Sequence, residues 1–269
     1  MKSILLHVHD DAGLESRLQA AFDLARAFGG HITCIHPTPY PKYLLLDPGL
    51  ARTLPVDVPE DMESARLQMQ DMIEQRLRVE TIPWDWVHVD QPVADSLIRA
   101  SALSDVIVLS LDDRSGEYGT SQALVGAVAT GARPPVLAMP ATVRTLDAGA
   151  PMLVAWNGSV EASTALRAAM PLLHLAARVH LVEIAERPSL LPAEAGALYL
   201  SRHGIDTEIL QRQPLDGSVS KAITSAALET GAGLIVSGAY GHTRMREYFL
   251  GGVTRSLLTE SKVPLLFAH

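Results

Sequence analysis

A single cysteine, Cys34, is all the thiol chemistry in this 269-residue chain, which excludes an intramolecular disulfide and fits a reducing compartment. No apolar run approaches the roughly 20 residues needed to span a bilayer. Met1-Lys2 leads straight into Ser3-Ile4-Leu5-Leu6, without the basic region, long apolar core or small-residue cleavage site of a secretory leader. Basic residues are in deficit: 22 Lys and Arg against 30 Asp and Glu give a formal charge of −8. Non-specific nucleic-acid binding needs a basic face and is therefore not expected. Aromatics make up only 5% of residues while apolar residues reach 48%, so the cores are built from Leu, Val, Ile and Ala, as parallel sheets prefer. These absences predict a cytoplasmic protein. No G-x-S-x-G elbow, Walker A lysine, H-E-x-x-H pair or C-x-x-C is found, and no carboxylate pair stands out as an acid/base couple. A dedicated catalytic constellation is not visible, so catalytic residues are assigned to none.

What is present is a pattern written twice. Ile4-Leu5-Leu6-His7-Val8-His9 matches Met152-Leu153-Val154-Ala155-Trp156-Asn157, an apolar run ending in a polar turn. Helical periodicity follows in both copies, over Leu14 to Phe28 and Glu161 to Ala177. Second strands are predicted at His31 to His36 and Arg178 to Ile184, and Trp84-Asp85-Trp86 reads as a third strand. Asp105-Val106-Ile107-Val108-Leu109 matches Gly233-Leu234-Ile235-Val236-Ser237, and the copies close with Pro135-Val136-Leu137-Ala138 and Pro264-Leu265-Leu266-Phe267. Alternating strands and helices imply parallel sheets with right-handed crossovers. Domains are expected at 1–141 and 151–269, joined by the weakly patterned Thr142 to Ala150. The first copy is longer between Pro37 and Met72, where Pro37, Pro39, Pro41, Pro48, Pro55 and Pro59 forbid a continuous helix before Glu60 to Leu77. That excursion reads equally as a lid or interface element and as a passive surface loop.

The most specific local feature is Val236-Ser237-Gly238-Ala239-Tyr240-Gly241, followed by Gly251-Gly252 and a helix starting near Val253. Glycines there let backbone N–H groups converge on an anion, and a helix N-terminus adds partial positive charge. The alternative is a pair of ordinary turns that use glycine. With this spacing the chain resembles the universal stress protein family in its tandem form, whose ATP signature places Gly, two residues, Gly, nine residues, Gly and then a small residue. Leu153-Val154-Ala155-Trp156-Asn157-Gly158-Ser159 resembles the family's first strand and turn, with Asn157 where Asp is usual.

The resemblance implies two tandem Rossmann-like (adenine nucleotide alpha hydrolase-like) domains, each a five-stranded parallel sheet with helices on both faces. It implies nucleotide across the carboxyl ends of the strands, and last strands, 134–139 and 263–267, that meet about a pseudo-twofold axis to form an intramolecular pseudo-dimer. Further homodimerisation is left open. It implies ATP, with Mg2+ as a candidate companion, held by Asn157, Ile184, Ser237, Gly238, Gly241, Arg244, Gly251, Gly252 and Val253. Ile184 would touch adenine and Asn157 the ribose. Asn157 keeps an acceptor but loses the charge, which weakens ribose recognition. Gly252 lacks the family's hydroxyl, at a cost of about 1.5–3 kcal/mol, or roughly one to two decades in affinity. Substituting Gly238 and Gly252 together by Val is expected to abolish binding and leave the fold intact. His242 and Arg246 also follow the loop, with a solvated helix start as the ordinary reading for Arg246, and Tyr240 points at ligand or solvent.

In the first copy Ser110 and Asp113 stand where Gly238 and Gly241 do, and Asp112 and Asp113 bring two carboxylates to the phosphate position. No ATP is expected there. His7, His9 and His36 form a candidate metal cluster, against which stands the commoner satisfied core histidine; the metal assignment is none. Cys34 reads as an inert small hydrophobe. The functional expectation is a stress-response protein whose ATP occupancy alters the surface shown to protein partners, at most a slow ATPase. The alternatives are a tandem scaffold without nucleotide, and a small-molecule or metal carrier using the N-terminal cleft.

Overall fold

The computed structural model describes residues 1–38, 60–111, 115–116, 119–185, 191–239 and 252–269. The proline-rich excursion from Pro39 to Pro59 lies outside them, as do Asp112 and Asp113. The N-terminal half runs β1 (Ser3–His7), α1 (Leu14–Phe28), β2 (His31–Pro37), α2 (Glu60–Glu80), β3 (Trp84–Val89), α3 (Val93–Ala100) and β4 (Val106–Leu111). Two two-residue strands, β5 (Ser115–Gly116) and β6 (Gly119–Thr120), then pair as a small antiparallel ribbon before α4 (Ser121–Gly131) and β7 (Val136–Pro140). The C-terminal half runs β8 (Met152–Trp156), α5 (Val160–Leu173), β9 (Val179–Ile184), α6 (Ala193–Arg202), β10 (Thr207–Arg212), α7 (Val219–Glu229), β11 (Leu234–Gly238), α8 (Gly252–Glu260) and β12 (Leu265–Ala268).

Ten of these strands make one sheet in the order β10-β9-β8-β11-β12-β7-β4-β1-β2-β3. Within each half every pairing of this sheet is parallel. The halves meet where β12 and β7 pair antiparallel, Leu266 opposite Leu137 and Phe267 opposite Val136. Strands buried on both faces need continuous apolar runs rather than alternation, and Ile4, Leu5 and Leu6 in β1, or Leu234, Ile235 and Val236 in β11, are fully buried. Side-chain alternation then divides the core into two layers. Ile4, Leu6, Ile32, Val154 and Val236 face α1 and α5, whereas Leu5, Ile107, Leu153 and Ile235 lie in the layer of α3, α4, α7 and α8.

Helix ends follow local chemistry. Gly29 takes a left-handed conformation (φ 59°) and returns its N–H to the Ala25 carbonyl, closing α1 as a C-terminal glycine does. Ser159 caps α5, its hydroxyl accepting from the Ala162 N–H at 3.1 Å. The helix expected to reach Ala177 stops at Leu173, two residues after Pro171, whose ring removes an N–H from the last turn. Among the described residues no helix is long and apolar enough to cross a membrane.

Candidate functional site at the carboxyl edge of the C-terminal half

In the C-terminal half the chain leaves β8 toward β9 on one side, while β11 lies on its other side. A crevice opens at such a switch point, at the carboxyl ends of the strands. Asn157 follows β8 directly, Ile184 ends β9, and Ser237 and Gly238 end β11. Gly252 and Val253 open α8. Gly241, Arg244 and Gly251 lie outside the described residues, as do Tyr240, His242 and Arg246.

Each described residue has its own environment. The Asn157 side chain is exposed, and its Oδ1 accepts from the Ser159 N–H at 3.1 Å, an Asx turn that leads the chain into α5. Ser237 is buried and its hydroxyl donates to the Gly238 carbonyl at 3.2 Å. Ile184 and Val253 are partly buried against the α7–α8 layer. Among the described residues nothing lies within 4 Å of the position a Cβ on Gly252 would take, so none of them explains a glycine there by packing. The free N–H groups of the first turn of α8 carry partial positive charge.

Gly238 is different. A Cβ at this position would stand 2.7 Å from the Ala162 backbone nitrogen and 2.7 Å from the Glu161 carbonyl carbon. The end of β11 therefore lies directly against the start of α5, and this glycine is required by packing whatever ligand the crevice holds. The expectation that a Gly238→Val change would spare the fold is corrected accordingly, because the obstructing atoms are backbone.

Sequence reasoning missed the supports around this edge. His269 Nδ1 donates to the Ala239 carbonyl at 2.8 Å, and the Ala239 N–H donates to Ala268 at 2.8 Å, pinning the start of the glycine loop to the end of β12. Trp156 Nε1 donates to the Leu191 carbonyl at 2.8 Å, and Gly196 lets α6 lie close to β9, where a Cβ would stand 2.8 Å from Leu181 Cδ1. A terminal histidine and a tryptophan followed by asparagine carry no sequence signal for these contacts.

The equivalent crevice of the N-terminal half is filled from within. Arg17, on α1, is 1% exposed. Its Nε donates to the His7 carbonyl at 3.0 Å and its Nη2 to the His9 carbonyl at 2.9 Å. Nη1 bonds Asp11 at 2.9 and 3.0 Å and also the Ser110 hydroxyl. One guanidinium thus ties the end of β1 to the end of β4 across the switch point. Its place in the second copy is taken by Ala165, and a cation on the apolar stripe of α1 was the legible sign. Among the described residues no three His, Cys, Asp or Glu side chains stand in metal-binding geometry, and Cys34 is buried with its thiol pushed up to about 12 by burial.

Residues 150–269 match the model of the Universal stress protein family. The whole chain is similar in fold to a universal stress protein from Archaeoglobus fulgidus DSM 4304, with a TM-score of 0.75 at 16% identity over 98% of this chain and 97% of that one. It is also similar to a functionally unknown protein from Pseudomonas aeruginosa PAO1, with a TM-score of 0.64 at 15% identity over 100% of this chain and 92% of the other. At these identities the likenesses establish the α/β fold with its large, mostly parallel sheet. No curated protein matches the chain.

Proposed function

We propose that the chain consists of two tandem domains, 1–141 and 151–269, and binds one ATP, with Mg2+, in the second, where occupancy changes the surface offered to protein partners. The observation that carries this reading is that α8, on the connection that follows β11, opens at Gly252, where among the described residues no atom lies within 4 Å of a Cβ position. A helix N-terminus over a switch-point crevice is a ready anion site. Ser237, Gly238, Gly241, Gly251, Gly252 and Val253 would hold the phosphates with Arg244 nearby, and Ile184 and Asn157 the nucleoside. Arg17 and the loss of the glycine spacing leave the first domain without nucleotide. With no acid/base couple, turnover would be slow at most.

The test is nucleotide released from heat-denatured protein, joined to calorimetric titration of the full chain with ATP and Mg2+. One adenine nucleotide per chain is expected; no released nucleotide and no heat at millimolar ATP would sink the reading. A second reading, a scaffold without nucleotide, is favoured by Asn157, whose oxygen is engaged by Ser159. Partner binding unchanged by a Gly252→Glu substitution would support it.

A further inference from the structure

The carboxyl edge of the N-terminal half carries a concentration of imidazoles found nowhere else among the described residues. His7 and His9 close β1 and stack with ring centroids 6.1 Å apart. His36, near the end of β2, meets His88 of β3 edge-to-face at 5.9 Å and Trp86 at 6.0 Å. Four buried side-chain polar atoms lack a hydrogen-bond partner among the described residues, and three of them are here: His36 Nδ1, His88 Nδ1 and Trp86 Nε1. His36 is 7% exposed. Buried polar atoms are almost always satisfied, so three orphans in one cluster mark a site held in a costly state.

We propose that this edge is a proton-operated element: proton uptake by His36 and His7 loosens the ends of β2 and β3 and thereby changes the surface of the N-terminal half. The charges around His36 allow no easy accommodation of a cation. From β1 it faces His9 and His7, and from α2 Arg66. From β3 it faces His88, whose Nε2 donates to Asp90 at 2.8 Å, a carboxylate that also accepts from Thr38 at 2.9 Å. Arg17 on α1 is tied to Asp11, so that carboxylate is engaged as well. On the other face of β2, α3 contributes the buried apolar Val93 and Leu97. A protonated His36 would thus be a buried charge beside Arg66 and further imidazoles, with Asp90 and Asp11 already engaged among the described residues. Burial first, then His88, His9 and Arg66, push its imidazole down to about 4, and burial above all holds His7 well below the usual histidine range.

This inference stands apart from the nucleotide reading. It is tested by hydrogen exchange on the full chain at about pH 7.5 and about pH 5, corrected for intrinsic rates, together with NMR titration of the histidine rings. The C-terminal half supplies an internal comparison: buried His180 on β9, whose Nδ1 is the fourth atom without a hydrogen bond among the described residues, stands alone and has the Glu208 carboxylate 3.2 Å away. Protection of 31–37 and 84–89 is expected to fall about tenfold more than that of 179–184 and 207–212, one pKa unit of displacement being a tenfold change in the opening equilibrium. A His36→Leu substitution should remove most of the difference. Equal losses in both halves, or a His36→Leu protein with the same dependence, would overturn the proposal. Should that variant fail to fold, the wild-type titration decides: His36 titrating at an ordinary histidine value refutes it, and His36 staying neutral through mild acid while β2 and β3 lose protection supports it.

Discussion

Gly13 and Ser110 meet at the point where α1 starts over the end of β4: a Cβ on Gly13 would lie 2.5 Å from the Ser110 Cβ and overlap its hydroxyl. The second half makes the same contact the other way round. There Gly238 ends the strand and Glu161 and Ala162 supply the helix side. One side of this contact must lack a side chain, and the two halves have assigned that side differently.

Gly13→Ala is therefore expected to destabilise the chain by about 1–3 kcal/mol, the usual cost of overpacking. Ser110→Gly should cost less alone, through a lost Arg17 partner, and should rescue Gly13→Ala. A double-mutant cycle in urea should give a coupling of about 1 kcal/mol or more; additive effects would refute the shared contact. Gly238→Ala should destabilise without any single-residue rescue, because its obstruction is backbone.

Arg17→Met should cost about 3–5 kcal/mol, since it leaves the buried carbonyls of His7 and His9, the Ser110 hydroxyl and the Asp11 carboxylate without their shared donor. Denaturant midpoints at constant m-value measure it. A loss below about 1 kcal/mol would show that water replaces the guanidinium freely.

Stability should fall on mild acidification. His36 and His7 are held neutral in the folded chain, with lowered pKa values, and titrate normally when unfolded. The unfolded chain then binds more protons below about pH 6.5. His36 contributes fully above that value, loses its contribution as pH falls, and has none left below about 4. Urea unfolding across this window should give a slope of up to about 1.4 kcal/mol per pH unit for each such imidazole.

Gly252→Glu should leave stability unchanged or slightly raised, as an acid in the first turn suits the helix dipole and no described atom lies within 4 Å of the Cβ position. The same carboxylate should repel a phosphate, so ATP affinity should drop by about tenfold or more. Wild-type affinity in this variant would remove α8 from the nucleotide site.

Cys34, with its thiol at about 12 and its side chain buried, should resist alkylation in the native chain and react only on unfolding. Rapid native labelling would contradict the burial of β2.

The alternating runs and glycine punctuation made the sheet legible before any coordinates. Ile4 to His7 and Met152 to Trp156 had to be strands, because short β-rich runs bounded by turns allow little else, and Leu14 to Phe28 carried its helical period openly. The site was legible only in part. Gly238 looked like a ligand residue, yet its glycine is demanded by Ala162, 76 positions earlier in the chain. Local sequence encodes local conformation, whereas a close backbone approach between distant segments leaves no mark at either one.

By itself, then, the sequence determined the duplicated strand–helix order and the apolar faces, because each follows from periodicity and residue geometry over a few neighbours. Tertiary structure alone decided that β12 and β7 join the halves into one ten-stranded sheet, that one guanidinium closes the first crevice, and that four imidazoles gather at its rim. Those outcomes depend on strand order and register, which bring side chains from opposite ends of a half within bonding distance.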